Sequence, residues 1–162
     1  MKKLEFIGKE LKLAGITSRT NNILEMNPTT SKITPTLQKY FNNNLASEIH
    51  NNKQPGVTYC VYTDYENDLT GDYTYFVSEE VLSFDHLNSD LETLVVPIQK
   101  YAKFTVGPGK MPDVCIGAWQ NIWKMTSSDF GSDRAYVADF EVYDERSQDN
   151  QNTELDIYIG IK

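Results

Sequence analysis

Residues 154–161 read Glu-Leu-Asp-Ile-Tyr-Ile-Gly-Ile, an alternation that is typical of a β-strand with one buried face. The apolar side chains share one side of this strand, which we predict to pack on helices: Leu155, Ile157, Ile159 and Ile161. The remaining side chains then point to the opposite face: Glu154, Asp156, Tyr158 and Gly160.

The preceding segment, 134–143, is predicted to form a neighbouring strand with the same division between its faces. Its apolar residues are expected on the helix side: Ala138, Phe140 and Val142. Its acidic and phenolic residues are expected on the other side: Asp139, Glu141 and Tyr143. The carboxyl and phenol groups of the two strands are therefore predicted to share one surface.

Acidic residues are disfavoured in strands, and several on adjacent strands with little compensating Lys or Arg repel one another. This surface is therefore expected to receive a cation. Aromatic rings beside carboxylates suit a flat organic cation, because cation-π attraction contributes roughly 0.5–2 kcal/mol per ring. The solvated face of an open antiparallel sheet would account for the same pattern, since Asp, Glu and Tyr are ordinary there.

The rest of the chain shows one order of elements twice. A strand at 11–20, a helix ending near Leu45 and a hairpin of 57–66 and 73–77 form the first unit. The helix is expected to begin between Asn27 and Thr34, with Asn27-Pro28 as a candidate start.

The second unit repeats this order with a strand at 91–106, a helix opened by Pro112, and strands at 134–143 and 154–161. We predict an α+β fold: a tandem duplication of a β-α-β-β unit, forming one antiparallel sheet with two helices on one face and a ligand cleft between the halves. The chain is expected to be a single domain, 1–162, with repeat halves of about 1–85 and 91–162.

Trp119 and Trp123 lie one turn apart on the second predicted helix and could wall a cleft from the helix side. A pair at this spacing in an apolar stripe is more often part of the core.

Composition narrows the function classes. The net charge is -8 over 162 residues, and Lys and Arg do not cluster into a stripe, so no direct binding of nucleic acid is expected. Residues 4–12 mix charges with apolar side chains, so no secretion signal or membrane span is expected and a cytoplasmic location is predicted.

Cys60 and Cys115 are predicted to be buried free thiols, and no cofactor or metal motif is present in the sequence.

Several stretches of the chain share a characteristic order and spacing: 13–22 with Glu25 and 26–28, then 61–68, 101–104, 119–123, 139–143 and 154–162. Together they resemble the GyrI-like effector-binding superfamily, and most closely its integron-cassette-associated branch. The resemblance covers nearly the whole chain.

The resemblance implies the duplicated fold and a cleft that binds lipophilic cationic drugs, often as the sensing part of a multidrug-responsive transcription activator. It also implies an acidic residue at the centre of the pocket, a role that we carry onto Glu141 ahead of Glu154 and Asp156. The expected ring contacts are Tyr143, Tyr65, Trp123 and Tyr158. Transcription-regulating members of the family carry a DNA-binding domain ahead of the effector-binding domain. Here the first predicted strand begins at Leu11, which leaves no room for such a domain. Any DNA-directed role is therefore expected to act through a partner.

Two other function classes remain open. Some GyrI-like proteins resemble hydrolases of strained electrophiles, for which Glu141 and Tyr143 have suitable residue types; His50 and His86 have no recognisable nucleophile or metal partner nearby. Alternatively, the acidic surface could regulate a protein partner such as a topoisomerase. Exposed edge strands make a homodimer plausible.

Overall fold

The computed structural model describes residues 2–162; Met1, the first residue of the predicted domain 1–162, lies outside the described residues. The strands are β1 (Lys2–Gly8), β2 (Leu11–Thr20), β3 (Thr58–Thr63), β4 (Tyr73–Glu80), β5 (Glu92–Val96), β6 (Gln99–Gly109), β7 (Ala138–Tyr143) and β8 (Thr153–Ile161). The helices are α1 (Asn22–Glu25), α2 (Ile33–Asn42), α3 (Asp113–Trp123) and α4 (Ser127–Phe130), with 3-10 turns at Leu45–Glu48 and Glu145–Ser147.

All eight strands form one antiparallel sheet in the order β1-β6-β8-β7-β3-β4-β2-β5. The β3–β7 pair lies at its centre and joins two groups of four strands. Each group contains one β-α-β-β unit, the first with α2 and the second with α3. The predicted α+β fold with a duplicated unit is confirmed.

The two halves exchange their outer strands. β1 pairs with β6, placing Phe6 opposite Tyr101, and β5 pairs with β2, placing Leu94 opposite Leu13. The sequence had indicated no strand at 2–8 and a single strand over 91–106. Pro97 separates β5 from β6, because proline cannot donate to a strand ladder.

Helix α2 begins at Ile33, within the predicted range of Asn27 to Thr34, and the candidate start at Asn27-Pro28 is wrong. The Asn27 Oδ1 accepts from the backbone N–H of Thr29 over 3.0 Å, which forms a local turn. The Glu25 carboxylate accepts from the N–H groups of Lys32 (2.9 Å) and Ile33 (3.3 Å) and so satisfies donors at the start of α2.

Helices α2 and α3 pack on one face of the sheet, as predicted. Tyr40 of α2 is buried against β2 and β4 residues, and Ile122 of α3 is buried against β6 and β8 residues. The apolar side of β8 meets α3, which confirms the predicted orientation of that strand: Leu155, Ile157, Ile159 and Ile161.

The orientation predicted for β7 is wrong. Glu141 lies directly opposite Ile157 of β8 and Cys60 of β3, so it faces the helices. The apolar set of β7 belongs to a second buried cluster on the other face of the sheet, together with Tyr59, Val61 and Tyr101: Ala138, Phe140 and Val142. Alternation separates the two sets of side chains, but it does not say which set meets the helices when both faces are buried.

None of the helices within residues 2–162 is long and apolar enough to cross a bilayer.

Candidate functional site

A cavity of about 980 Å³ lies between α2 and α3, over the central strands. Its floor is formed by alternate residues of β3, β4 and β7: Thr58, Cys60, Tyr62, Tyr73, Tyr75, Glu141 and Tyr143. Its walls are formed by one side of each helix: Ile33, Thr34, Leu37 and Phe41 from α2, and Cys115, Ile116, Trp119, Gln120 and Trp123 from α3. Both halves of the duplication contribute to it.

Glu141 is the acidic residue on the floor of this cavity, and it is only 3% exposed. Its Oε1 accepts hydrogen bonds from Tyr62 OH over 2.9 Å and from Trp119 Nε1 over 2.7 Å. Its Oε2 accepts from Tyr143 OH over 2.7 Å. The Cys115 thiol lies 3.5 Å from Oε1 as a weak fourth donor.

All four of these donors are uncharged groups. Burial, followed by the charge of Glu141, raises the pKa of Tyr62 and of Tyr143 well above the ordinary tyrosine value, so both hydroxyls stay protonated near neutral pH. Among the side chains that the structure describes, no Lys or Arg forms an ion pair with Glu141. The carboxylate therefore has hydrogen bonds but no protein countercharge.

Aromatic rings surround this carboxylate. The Tyr62 ring lies 4.9 Å from the Trp119 ring and 5.4 Å from the rings of both Tyr73 and Tyr75, between centroids. Tyr65 extends the cluster, with its ring 6.0 Å from that of Tyr73. The π-faces of such rings attract cations, and the effect is larger where water is excluded.

The mouth of the cavity carries exposed apolar side chains. Four large apolar side chains of the lining are at least 40% exposed: Met26, Phe41, Ile116 and Trp123. Exposed polar side chains, among them Gln120 and Gln148, belong to the same lining. The two tryptophans differ in exposure. Trp119 is 9% exposed and belongs to the core as well as to the cavity, whereas Trp123 is 40% exposed at the cavity rim.

Asp139 also faces the helices, but it forms a separate buried group. Its Oδ2 accepts from Arg134 Nη2 and from Tyr65 OH, the latter over 2.5 Å, and its Oδ1 accepts from the Gly160 N–H over 2.8 Å. Burial lowers the pKa of Arg134, but the neighbouring Asp139 and Tyr65 raise it, so this pKa stays above the ordinary arginine value. Asp139 is thus paired within the chain.

The acidic residues of β8 lie outside the cavity, on the second face of the sheet. Asp156 forms ion pairs with Arg146 at 2.8 Å and with Lys103 at 3.4 Å, and Glu154 is paired with Arg146 at 3.3 Å. The expectation of little compensating Lys or Arg is therefore wrong for these two carboxylates. The prediction that they share one surface with Glu141 is also wrong.

Tyr158, expected as a ring contact, packs on this second face. Its ring stacks on that of Phe140 at 4.6 Å between centroids and meets the edge of Phe6 at 5.4 Å. Of the predicted site residues, the structure brings five to the cavity: Glu141, Tyr143, Tyr65, Trp119 and Trp123. It places four away from its lining: Asp139, Glu154, Asp156 and Tyr158.

Sequence reasoning missed the tyrosines of the first hairpin. Tyr62, Tyr73 and Tyr75 line the cavity, and Tyr62 lies beside Tyr75 in the β3–β4 register. Tyr62 lies two residues after Cys60, and Tyr73 and Tyr75 precede Val77 at the same spacing of two. Alternation along each strand therefore puts these tyrosines on the side of the apolar core under α2, and this signal could have identified them.

Both cysteines are free thiols that line the cavity; Cys60 is buried, as predicted, whereas Cys115 is only partly buried. Burial and the charge of Glu141 raise the pKa of both thiols above the ordinary cysteine value. Within residues 2–162, no group of three or more His, Cys, Asp or Glu side chains could hold a metal ion.

Known proteins resemble this chain in sequence and in fold. The family model described as integron-associated effector binding protein matches residues 8–161, which confirms the resemblance drawn from the sequence. An integron cassette protein from the mobile metagenome of Vibrio cholerae has a solved structure with a TM-score of 0.78 and 27% identity, covering 99% of this chain and 95% of that one.

A curated relative from Bacillus subtilis (strain 168), described as "Putative transcriptional regulator protein YobU", is 27% identical over 152 residues, which are 93% of this chain and 92% of that protein. The structure of SAV2435 bound to tetraphenylphosphonium has a TM-score of 0.76 at 14% identity, covering 100% of this chain and 94% of that one. At this identity the likeness to SAV2435 shows the fold.

Proposed function

The chain belongs to the integron-associated effector binding protein family, and from that premise we propose that it binds a lipophilic aromatic cation in the cavity between α2 and α3. The observation that carries the proposal is the environment of Glu141. This carboxylate is buried on the cavity floor, hydrogen-bonded only to neutral groups and without an ion pair among the described side chains.

A buried carboxylate without a countercharge is stabilised when a cation binds beside it. Uncharged donors satisfy its lone pairs, but they do not supply the opposite charge that a buried ion usually has. A cation that enters the cavity interacts with Glu141 in a site shielded from water, where Coulomb attraction is stronger than at the surface. Its positive charge also meets the rings of Tyr62, Tyr75 and Trp119.

The size and lining of the cavity support the lipophilic character of this ligand. Its volume of about 980 Å³ matches pockets for drug-sized molecules. The exposed apolar side chains at the mouth extend the contact surface for aromatic substituents, and two of them, Ile116 and Trp123, belong to α3. Tetraphenylphosphonium, the cation bound to SAV2435, is a suitable probe for this class.

Tryptophan fluorescence tests this proposal, because Trp119 and Trp123 both line the cavity. We expect saturable quenching with tetraphenylphosphonium and none with its neutral analogue, triphenylphosphine oxide, at the same concentrations. Binding of the two compounds with equal affinity would show that apolar contact alone is responsible, and an unchanged emission with either compound would exclude the site.

The relative described as a transcriptional regulator supports a sensing role, in which occupancy of the cavity is read by a partner. A sensor must differ between its free and bound states. We expect backbone amide hydrogen exchange in α2 and α3 to slow when the cation is added. Exchange rates that do not change in either helix at saturation would contradict the sensing role and leave binding itself intact.

A second candidate function is the hydrolysis of a strained electrophile. The contact that favours it is the hydrogen bond from Tyr143 OH to Glu141 Oε2 over 2.7 Å, which couples a carboxylate to a proton donor inside a cavity. Product formation that disappears in Glu141→Gln would support this reaction, and tight binding without any product would oppose it.

A further inference from the structure

Strand β1 is an unpaired edge of the sheet. It pairs with β6 in a continuous register from Lys2 to Gly8, and within the described residues no strand lies along its other side. An edge strand presents free N–H and C=O groups that can pair with another chain. A proline, a bulge or a very short strand can protect such an edge, and β1 has none of these. Charged side chains can also protect it, so the sign and position of the charges on β1 decide how it behaves.

The side chains along this edge are exposed and in part apolar. Leu4 is 60% exposed, Phe6 is 37% exposed and Ile7 is 70% exposed. The Phe6 ring stacks on that of Tyr101 at 5.8 Å between centroids, which holds it on the second face of the sheet. A further strand paired with β1 would remove apolar surface of these residues from water, which favours its binding.

Lys3 and Glu5 are the charged residues in the middle of β1. Both are exposed, and both lie on the helix side of the sheet, because they are opposite Phe104 and Ala102 of β6. Neither forms an ion pair with any side chain that the structure describes, and Lys3 Nζ donates to the backbone oxygen of Asp129 over 2.6 Å. Both charges are therefore available to the side chains of an added strand.

The sequence of β1 is complementary to itself in one antiparallel register. Two copies of an edge strand that pair in this way are related by a two-fold axis, so one residue lies opposite its own copy. With Leu4 at the axis, Lys3 lies opposite Glu5 of the second copy and Glu5 lies opposite Lys3 of that copy, and both pairs are attractive. With Lys3 or Glu5 at the axis, like charges meet. With Phe6 at the axis, Lys3 meets Lys9 of the second copy.

The opposite edge of the sheet, β5, lacks this property. Its one charged residue is Glu92, whose carboxylate accepts a hydrogen bond from Thr17 of β2. Pro97 follows β5 directly and has no N–H to donate to an added strand. Pairing of β1 with β5 of another copy would not close on a two-fold axis and would leave an edge free at each end.

We propose that the protein forms a homodimer in which β1 pairs antiparallel with β1 of a second copy around Leu4. The two eight-stranded sheets then continue as one sheet, and each Lys3 faces Glu5 of the other copy. Leu4 and the exposed part of Phe6 lie at the centre of this interface. None of the described side chains of β1 lines the cavity, so the interface is separate from the proposed ligand site and does not depend on it.

Sedimentation equilibrium of charge-reversal variants tests this interface. Lys3→Glu and Glu5→Lys each place like charges opposite one another, so each should raise the dimer dissociation constant about tenfold or more. The double variant Lys3→Glu/Glu5→Lys restores opposite charges and should dimerise as the wild type does. Lys9→Glu makes the same change of net charge as Lys3→Glu at an exposed residue just after β1, and it should leave the dimer intact.

An equimolar mixture of the Lys3→Glu and Glu5→Lys variants tests the register itself. In the register around Leu4, each acidic side chain of the first variant lies opposite a lysine of the second. The mixture should therefore form a heterodimer under conditions in which each variant alone is monomeric. Unfolding of a variant cannot produce this recovery.

Wild-type protein that stays monomeric in a concentration series up to about 1 mM would overturn the proposal. A dimer that neither Lys3→Glu nor Glu5→Lys weakens would also overturn it, because its interface would lie elsewhere. If both single variants dissociate and neither the double variant nor the mixture recovers the dimer, the pairing around Leu4 is wrong.

Discussion

The indole Nε1 of Trp119 donates a hydrogen bond to Oε1 of Glu141 over 2.7 Å, which ties α3 to the central strand β7. Trp119 is also buried in the cluster formed by α3, β6 and β8. The same residue therefore supports the fold of the second half and orients the carboxylate on the cavity floor.

Trp119→Phe keeps a large aromatic ring and removes this donor, so Glu141 loses one of its hydrogen bonds in a buried site. We expect the free energy of unfolding to fall by about 2 kcal/mol, the usual loss for a hydrogen bond to a charged group. Urea unfolding at neutral pH measures it. Trp123→Phe is the matched control, because Trp123 is 40% exposed, and it should change stability by less than about 0.5 kcal/mol. Equal losses in the two variants would contradict the structural role of Trp119.

Trp123→Ala removes an aromatic face from the mouth of the cavity. We expect the affinity for tetraphenylphosphonium to fall between about twofold and thirtyfold, the range of a cation-π contact, with little change in stability. Calorimetric titration measures the affinity. Leu82→Ala is the control, because Leu82 is 64% exposed and lies outside the cavity lining. An affinity lowered as much by Leu82→Ala as by Trp123→Ala would show that the effect is not local.

Arg146 links stability to pH through the carboxylates around it. Its hydrogen bonds lower the pKa of Asp144, and they leave the pKa of Asp156 below the ordinary value of 3.8 although burial acts in the opposite direction. Because these folded-state pKa values are depressed, the stability they contribute is complete above the ordinary carboxyl pKa and is lost as the pH falls through the lower folded values.

Arg146→Gln should therefore destabilise the protein at pH 7, and its difference from the wild type should shrink as the pH falls below about 4. Urea unfolding across this pH range tests the prediction. Lys124→Gln, a substitution of an exposed residue just after α3, should show no such trend. A gap between Arg146→Gln and the wild type that stays constant down to strongly acidic pH would argue against the linkage.

The two thiols that line the cavity should react slowly. Burial and Glu141 raise the pKa of Cys115 and of Cys60, so little thiolate is present at neutral pH. We expect Ellman's reagent to label Cys115 before Cys60, since Cys60 is only 2% exposed, and a bound cation to slow the labelling of Cys115. Cys115→Ser isolates the slower thiol. Immediate labelling of both thiols in the folded protein would be inconsistent with the cavity as described.

Much of the fold follows from residue patterns. The alternation at 154–161 placed the apolar side of β8 on α3, and the helical spacing after Pro112 located α3. The exchanged strands were harder to predict. The short, charge-rich strand β1 pairs with β6, which lies almost a hundred residues later in the chain. No local sequence pattern indicates which strand β1 will pair with.

The residues of the candidate site could be predicted from the sequence only in part. Glu141 was singled out on its strand, but the surface assigned to it was the wrong one, because the second face of the sheet also buries apolar side chains, Phe140 and Val142 among them. Once the β3–β7 register is known, Cys60 and Glu141 lie side by side on the cavity floor. Register depends on long-range pairing, which local alternation does not encode.

The central claim is that the Glu141 carboxylate holds a cation in the cavity, and calorimetric titration of tetraphenylphosphonium into Glu141→Gln, Glu154→Gln and the wild type tests it most directly. Both substitutions remove one carboxylate, but Glu154 lies outside the cavity lining and is paired with Arg146. We predict that Glu141→Gln weakens binding by about tenfold or more and that Glu154→Gln leaves it within about twofold. Equal affinities for the wild type and Glu141→Gln would contradict the account.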